Sequence, residues 1–317
     1  MLTVVLPVYN EAVALEGFHR RLGEALAGAL GAEDTWEALY VDDGSNDQSV
    51  SVIGRLAEND KHVRLLALSR NFGKEIATTA GIHHAAGDAI VVMDSDGQHP
   101  PEIIGDFLDA WREGAQVVIG VRKDNHSASI LKSISSRLFY RISKSVSDGN
   151  LLRNSTDYCL VDSSAAQAFR EYRQQTRMTR AIIQSMGYER AVVEFSAGPR
   201  MAGEATYSAK KLIGLAVDAL VADSRKPLTW SVVIGLVFAL LGLAMGSIVF
   251  VEDLILKDPL GWDFTGSAML GILILFVTGL ILCSQGLIGL YLAAVHREVL
   301  GRPLYLVNAA RSIGSRD

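Results

Sequence analysis

From Leu2 to Val121 apolar and polar positions alternate in blocks. Short runs rich in β-branched residues (Leu2–Val8, Trp36–Val41, Val63–Leu68, Ala89–Met93 and Val117–Val121) are separated by segments in which apolar residues recur at helical spacing. These segments predict helices over Val13–Leu30, from about Asn46 to Asn59, over Lys74–Ala86, and from near Pro101, whose fixed φ suits a first helical turn. Short strands alternating with helices indicate an α/β fold with a mostly parallel sheet and helices on both faces. A different pattern follows Lys226. Residues 227–251 carry no charge, and a second uncharged run covers 264–295. Each exceeds the roughly 20 residues that a helix needs to cross about 30 Å of hydrocarbon, so both are predicted to span a membrane.

Charge divides the chain at the same place. Of the 65 charged residues (30 basic, 35 acidic), 54 fall in residues 1–226 and 11 in 227–317, which explains a mean hydropathy of +0.23 as the average of two unlike parts. This excludes a wholly soluble enzyme, a disordered chain and a many-spanning transporter. Lys210, Lys211, Arg225 and Lys226 precede the first run, His296, Arg297 and Arg302 follow the second, and the loop 252–263 has one basic and four acidic residues. Basic flanks stay in the cytoplasm, so both termini are expected inside and the loop outside. The resulting division is a catalytic domain over 1–207, a juxtamembrane amphipathic helix over 208–226, spans over 227–251 and 264–295, and a cytoplasmic tail over 296–317. The start, Met1-Leu-Thr-Val-Val-Leu-Pro, has no basic region before a long apolar core and does not read as a signal peptide. A net charge of −5 argues against nucleic acid as a partner. Cys159 and Cys283 provide no disulfide framework and read as buried thiols. Glycines in both apolar runs offer small faces for close helix packing, hence for a homo-oligomer.

In a parallel α/β sheet ligands gather at the carboxyl ends of strands. Here those ends read Pro7-Val8-Tyr9-Asn10-Glu11, Asp42-Asp43-Gly44-Ser45, Ser69-Arg70-Asn71 and Asp94-Ser95-Asp96. No glycine-rich dinucleotide or P-loop signature accompanies them. Asp94 and Asp96, with Gln98 two residues on, can aim oxygens at one Mg²⁺ or Mn²⁺ that shares its shell with substrate phosphates; the same residues can equally form an N-cap cluster before Pro100-Pro101-Glu102. The Asp-Gly turn at residues 43 and 44 is ambiguous by itself.

Taken in order, these segments resemble the family 2 glycosyltransferases of the GT-A fold, and among them the polyprenyl-phosphate glycosyltransferases: bacterial bactoprenol-phosphate glucosyltransferases and dolichol-phosphate mannose synthases. The resemblance rests on Leu6-Pro7-Val8-Tyr9-Asn10-Glu11, Val41-Asp42-Asp43-Gly44-Ser45, Ser69-Arg70-Asn71-Phe72-Gly73-Lys74, Met93-Asp94-Ser95-Asp96-Gly97-Gln98-His99-Pro100-Pro101-Glu102, Gly120-Val121-Arg122, Phe139-Tyr140-Arg141 and Arg200-Met201-Ala202-Gly203-Glu204, together with the two apolar runs. It implies a nucleotide-sugar site made by Pro7, Tyr9, Asn10, Glu11, Asp42, Asp43, Arg70, Lys74 and Ser95. It further implies a divalent metal, Mg²⁺ or Mn²⁺, on Asp94, Asp96 and Gln98, and an acceptor phosphate on Arg122 with Arg137 and Lys132. Asp94, Asp96 and Arg122 would be the catalytic set. Two departures stand out: Lys123-Asp124-Asn125-His126 where the family often has a second basic residue, and Gly203-Glu204-Ala205-Thr206-Tyr207 where it commonly has Gly-Glu-Ser-Lys-Tyr.

The implied reaction suits the residues. A phosphate monoester has a second pKa of about 6 and is already a nucleophile at neutral pH, so a general base is optional; His99 is the nearest candidate for one, with a capping or surface role as its alternative. Between His126 and Ser147, Ile130, Ile134, Leu138, Ile142 and Val146 form one stripe, Lys132, Arg137, Arg141 and Lys144 add basic charge, and no acid interrupts them. Residues 127–147 are therefore expected either to lie on anionic lipid or to pack on the sheet. The expectation is an inverting, membrane-anchored transferase at the bacterial inner membrane, moving glucose from a UDP-sugar to undecaprenyl phosphate. Other donors (UDP-4-deoxy-4-formamido-arabinose, UDP-N-acetylhexosamine, GDP-mannose) and a silent lipid-carrier-binding scaffold stay open.

Overall fold

The computed structural model describes residues 1–31, 33–123, 152, 154–175, 177–196, 198, 233–238, 240, 241, 244 and 266–314. The expected interfacial helix at 127–147, with Lys132 and Arg137, lies outside the described residues. So do the segment 200–207, the juxtamembrane helix and most of the first apolar run.

The first half follows the predicted alternation: β1 (Leu2–Val8), α1 (Ala12–Ala29), β2 (Trp36–Asp42), α2 (Ser49–Asn59), β3 (Val63–Ala67), α3 (Lys74–His84), β4 (Ala89–Val92), a 3₁₀ turn Pro101–Ile103 running into α4 (Ile104–Arg112), and β5 (Val117–Arg122). The chain then adds β6 (Ser155–Asp162), α5 (Ser163–Glu171), α6 (Thr179–Ser185) and β7 (Arg190–Phe195). Helix α2 starts at Ser49 and not at Asn46. The Asp47 carboxylate accepts the Ser49 N–H at 2.9 Å, and the Asn46 N–H goes to Asn10 Oδ1, so these residues form a turn before the helix.

The seven strands form one sheet in the order β3-β2-β1-β4-β6-β5-β7. β1 pairs in parallel with β2 and β4, β2 with β3, and β5 with β7; β6 runs antiparallel to both neighbours. Every residue of β1 is buried, as befits a central parallel strand covered on both faces. Alternation along it feeds two cores. Leu6 joins Phe18, Tyr40, Ile53 and Phe107 beneath α1, α2 and α4, whereas Val5 joins Val41, Ala80, Ile82 and Phe169 beneath α3 and α5. At about 1.5–3 kcal/mol per fully buried large apolar side chain, these layers fix which face each helix covers.

Edge strand β3 does not end the sheet in open solvent. Residues 302–314, within the segment expected to be a cytoplasmic tail (296–317), lie along it. Leu65 and Ile313 exchange both backbone hydrogen bonds, at 3.0 and 2.8 Å, and the Asn308 N–H reaches Ala67 O at 2.8 Å. The Ala67 N–H donates to Ser312 Oγ, and Arg64 Nε to Gly314 O. The segment thus covers unpaired groups that an exposed edge would leave open. A second compact unit contains α7 (Gly266–Val299), whose stretch Phe276–His296 is long and apolar enough to cross a membrane; it is the one such helix among the described residues. Within that unit the Phe238 ring meets Phe276 edge-on at 5.1 Å.

Candidate active site

The strand order reverses at β1: β2 and β3 extend to one side, β4 to the other. A crevice forms at the carboxyl ends on such a reversal, and the loops after β1, β2 and β4 are bonded together there. Asn10 adopts a left-handed φ of +56°, its N–H donates to Ser45 Oγ at 3.0 Å, and its Oδ1 accepts the Asn46 N–H at 2.9 Å. The Ser95 hydroxyl ties the β4 end to the β1 end through Pro7 O at 3.2 Å and the Glu11 carboxylate. Burial pushes the Glu11 carboxyl up to about 7; the Ser95 hydrogen bond opposes this, and the Asp96 and Asp94 charges add to it. Tyr9 is 44% exposed beside these anchored residues, free to present its ring.

At the β2 end the two aspartates differ. Asp43 spends both oxygens on the next loop, accepting the Phe72 N–H at 2.7 Å and the Gly73 N–H at 2.9 Å. Burial raises its pKa, and those two bonds offset part of the rise. Asp42 is fully buried; its Oδ1 accepts the Ser45 N–H at 3.1 Å, and its Oδ2 has no hydrogen-bond partner. Gly44 is required between them and the loop 69–74. Its φ is +70°, and a Cβ there would sit 2.5 Å from Arg70 C and 2.6 Å from Asn71 N. Arg70 itself stacks over the Phe72 ring at 4.0 Å.

Lys74, the first residue of α3, reaches Asp94 at 2.7 Å and Asp157 at 2.8 Å. Burial alone would lower its pKa; the two carboxylates outweigh that and raise it, so the ammonium stays charged. Asp157 is held low in return, Lys74 and Arg180 overcoming the cost of its burial. One Asp157 oxygen is buried without a hydrogen bond, and Arg180 stands 3.9 Å from it. A cleft of about 200 Å³ opens beside this cluster, lined by Asp94, Gln98, Arg122, Asp157 and Arg180 among others. His99 also lines it. It is buried, stacks on Tyr158 at 4.9 Å, and its Nδ1 accepts the Asp94 N–H at 2.9 Å. Burial lowers its pKa, so its 3.7 Å approach to the Asp94 carboxylate is no ion pair, and its role is to hold the Asp94 backbone in place.

Asp94 and Asp96 do not cap α4: Asp96 Oδ1 accepts the Gln98 N–H at 3.0 Å, and Pro100 precedes the 3₁₀ turn without a side-chain cap. No group of three or more His, Cys, Asp or Glu gathers into a metal cage among the described residues. The donor set still fits Mg²⁺ or Mn²⁺ arriving with a diphosphate, since that ion is held by one or two carboxylates plus phosphate oxygens and water. Asp94, Asp96 and the Gln98 amide have that chemistry.

Of the residues that the sequence singles out, Asp94, Gln98 and Arg122 line this cleft, Lys74 is paired with Asp94, and Asp42 and Asp43 stand at the end of β2. Asp157 and Arg180 were missed. Asp157 lies near the amino end of β6, whereas a site on a parallel sheet is expected at strand carboxyl ends. Because β6 is antiparallel, with Val92 opposite Cys159, its amino end reaches the same edge as Asp94. The signal was an aspartate opening an apolar run, Ser155-Thr-Asp-Tyr-Cys-Leu-Val.

A family model described as "Glycosyl transferase family 2" matches residues 3–170, more than half of the chain, starting one residue into β1 and running past the end of β6. The chain belongs to the family 2 glycosyltransferases. Relatives of this glycosyltransferase span it almost completely. An uncharacterized glycosyltransferase of Synechocystis is 34% identical over 97% of this chain and 94% of its own. The SfII prophage-derived bactoprenol glucosyl transferase of Shigella flexneri is 30% identical over 96% and 97%. Among solved structures, a mannosyltransferase from Pyrobaculum calidifontis, in complex with GDP-Man and Mn²⁺, has 15% identity and a TM-score of 0.47 over 95% of this chain and 88% of its own.

Proposed function

We propose that this glycosyltransferase moves glucose from a UDP-sugar to undecaprenyl (bactoprenol) phosphate, with inversion, at the cytoplasmic face of the bacterial inner membrane. One observation carries the reading. A cleft at the carboxyl edge of the sheet sets two carboxylates, Asp94 and Asp157, about a charged lysine, with Arg122 and Arg180 lining the same space. The roughly 30% identity to bactoprenol glucosyl transferases over nearly full length supports this acceptor and sugar.

The nucleoside end of the donor is assigned to Tyr9, Asp42 and the loops that Asn10, Glu11, Asp43, Arg70 and Ser95 hold, and the diphosphate to the Asp94–Gln98 turn and Lys74. A divalent ion on Asp94, Asp96 and Gln98 would neutralise charge on the leaving diphosphate. Arg122 binds the acceptor phosphate, with Arg137 and Lys132 proposed from the residues beyond β5. A phosphate oxygen attacks the sugar C1 from the side opposite the diphosphate; the C1–O bond to the nucleotide breaks as the new C1–O–P bond forms. An ionised acceptor needs no proton removed, which suits a site whose lining histidine, His99, is committed to the Asp94 backbone.

The domain division proposed is a cytoplasmic catalytic part over 1–207, a juxtamembrane helix over 208–226, spans over 227–251 and 264–295 joined by an extracytoplasmic loop, and a cytoplasmic tail from 296. The Phe238–Phe276 contact favours the pairing of the two apolar runs. The test is transfer of radiolabelled sugar from UDP- and GDP-sugars to undecaprenyl phosphate in detergent, with Mg²⁺, Mn²⁺ or EDTA. The expected result is an organic-extractable product from UDP-glucose that EDTA abolishes and that Asp96→Ala lowers at least a hundredfold without unfolding the protein. A product from a different sugar nucleotide corrects the donor; none from any donor overturns the reading.

A further inference from the structure

The chain leaves α7 at Val299 and within a few residues joins the sheet unit again, running beside β3. Edge protection alone explains the backbone pairing, but not where the segment carries its charge. The short 3₁₀ turn Ala309–Arg311 sets the Arg311 guanidinium, 42% exposed, 4.0 Å from Asp42 Oδ2. To get there it crosses the end of β3, because β3 lies between the segment and β2. That Asp42 oxygen is the fully buried one without a hydrogen bond. A buried carboxylate oxygen left unbonded costs free energy, and charge-assisted N–H···O⁻ bonds close at about 2.7–2.9 Å, roughly 1 Å shorter than this approach. The pair is therefore a charge contact held just short of a bond, at the mouth of the strand end assigned above to the nucleoside.

We propose that Arg311 is a positioning residue of the donor site, resting on the donor assignment under the proposed function. When the nucleoside enters, the guanidinium closes on Asp42 and fixes the carboxylate that reads the donor. Its remaining N–H groups are then left to donate to the carbonyl and hydroxyl oxygens that a nucleoside carries. The segment that follows the apolar helix thereby becomes part of nucleotide recognition, and the backbone pairing of Leu65 with Ile313 and of Asn308 with Ala67 keeps Arg311 in register.

The experiment uses the full chain in detergent and measures UDP affinity by calorimetry alongside donor and acceptor KM and kcat. Arg311→Ala is expected to weaken UDP binding and raise donor KM about tenfold, the ratio for one charge-assisted contact of about 1.4 kcal/mol, with kcat and acceptor KM within about twofold. Arg311→Lys should recover most of the loss. Ser312→Ala, which removes the Ala67 and Asn308 contacts while leaving Arg311, serves as the control for loosening of the segment; it should lower Tm without the donor KM effect. Unchanged UDP affinity in Arg311→Ala overturns the proposal, as does an equal loss in Ser312→Ala, which would make the segment only structural. Wild-type protein that binds no UDP or other nucleoside diphosphate overturns the donor site itself, and this role with it.

Discussion

Glu11 accepts the Ser95 hydroxyl at the junction of β1 and β4, and the Asp94 and Asp96 charges reinforce a pKa that burial has already moved from 4.5 to about 7. Between those two values the folded protein keeps a proton that the unfolded chain has lost. Linkage then makes this contribution to stability fullest below pH 4.5 and gone once pH has risen through 7. At about 1.36 kcal/mol per pKa unit, the metal-free protein should lose up to about 3 kcal/mol between pH 5 and pH 8 from this one carboxyl. Glu11→Gln removes the titration while keeping a group that can accept from Ser95. Its melting in EDTA, followed by tryptophan fluorescence, should vary less with pH than the wild type's, with the gain concentrated at pH 8. Equal pH slopes for the two proteins would mean that Glu11 is ionised in the folded state throughout.

Loops at the strand ends work as one element. Asn10, Ser45 and Asn46 join the first two, while Asp43 and Gly44 join the second to the loop that launches Lys74. Gly44→Ala meets both obstacles at once, a left-handed φ and backbone atoms 2.5 and 2.6 Å from its Cβ. Backbone strain of this kind costs about 1–3 kcal/mol, and relief requires moving residues 70 and 71. Transfer activity should fall at least tenfold, and Tm should drop by several degrees; a variant with wild-type Tm and activity would show that the loops move independently. The elements themselves were largely legible beforehand, because β1 to β5 and α1 to α4 follow from apolar periodicity. What escaped was pairing. The direction of β6 is set by its partners and not by its residues, so the aspartate that opens its apolar run could not be given an edge of the sheet. Likewise, the run Arg302-Pro-Leu-Tyr-Leu-Val reads as a tail until Leu65 and Ala67 are known to have unpaired groups facing it. Asp42 and Asp43 looked equivalent in sequence; which one is consumed by Phe72 and Gly73 is decided by a loop arriving from another strand.

On the scale of the whole molecule, chain order constrains the proposed membrane arrangement. The sheet precedes α7 and residues 302–314 follow it, yet the two are hydrogen-bonded together along β3. They therefore share one side of any bilayer, and the number of crossings between them has to be even. If Phe276–His296 crosses, a second crossing is needed before it, and the uncharged run 227–251 is long enough to supply it. A single crossing by α7 would place the tail opposite β3 and strip that edge bare. Cysteine accessibility separates the two arrangements. The variants Lys257→Cys, in the acidic loop, and Ser312→Cys, on the β3 edge, are made in a Cys283→Ala background that keeps Cys159, whose thiol is buried and pushed up to about 12. In right-side-out vesicles an impermeant maleimide should label residue 257 and leave residue 312 unlabelled until detergent is added. Inside-out vesicles should reverse the pattern, labelling residue 312 and protecting residue 257. Labelling of both positions from the same side in intact vesicles would exclude the hairpin, and the apolar runs would then have to lie within or along one leaflet.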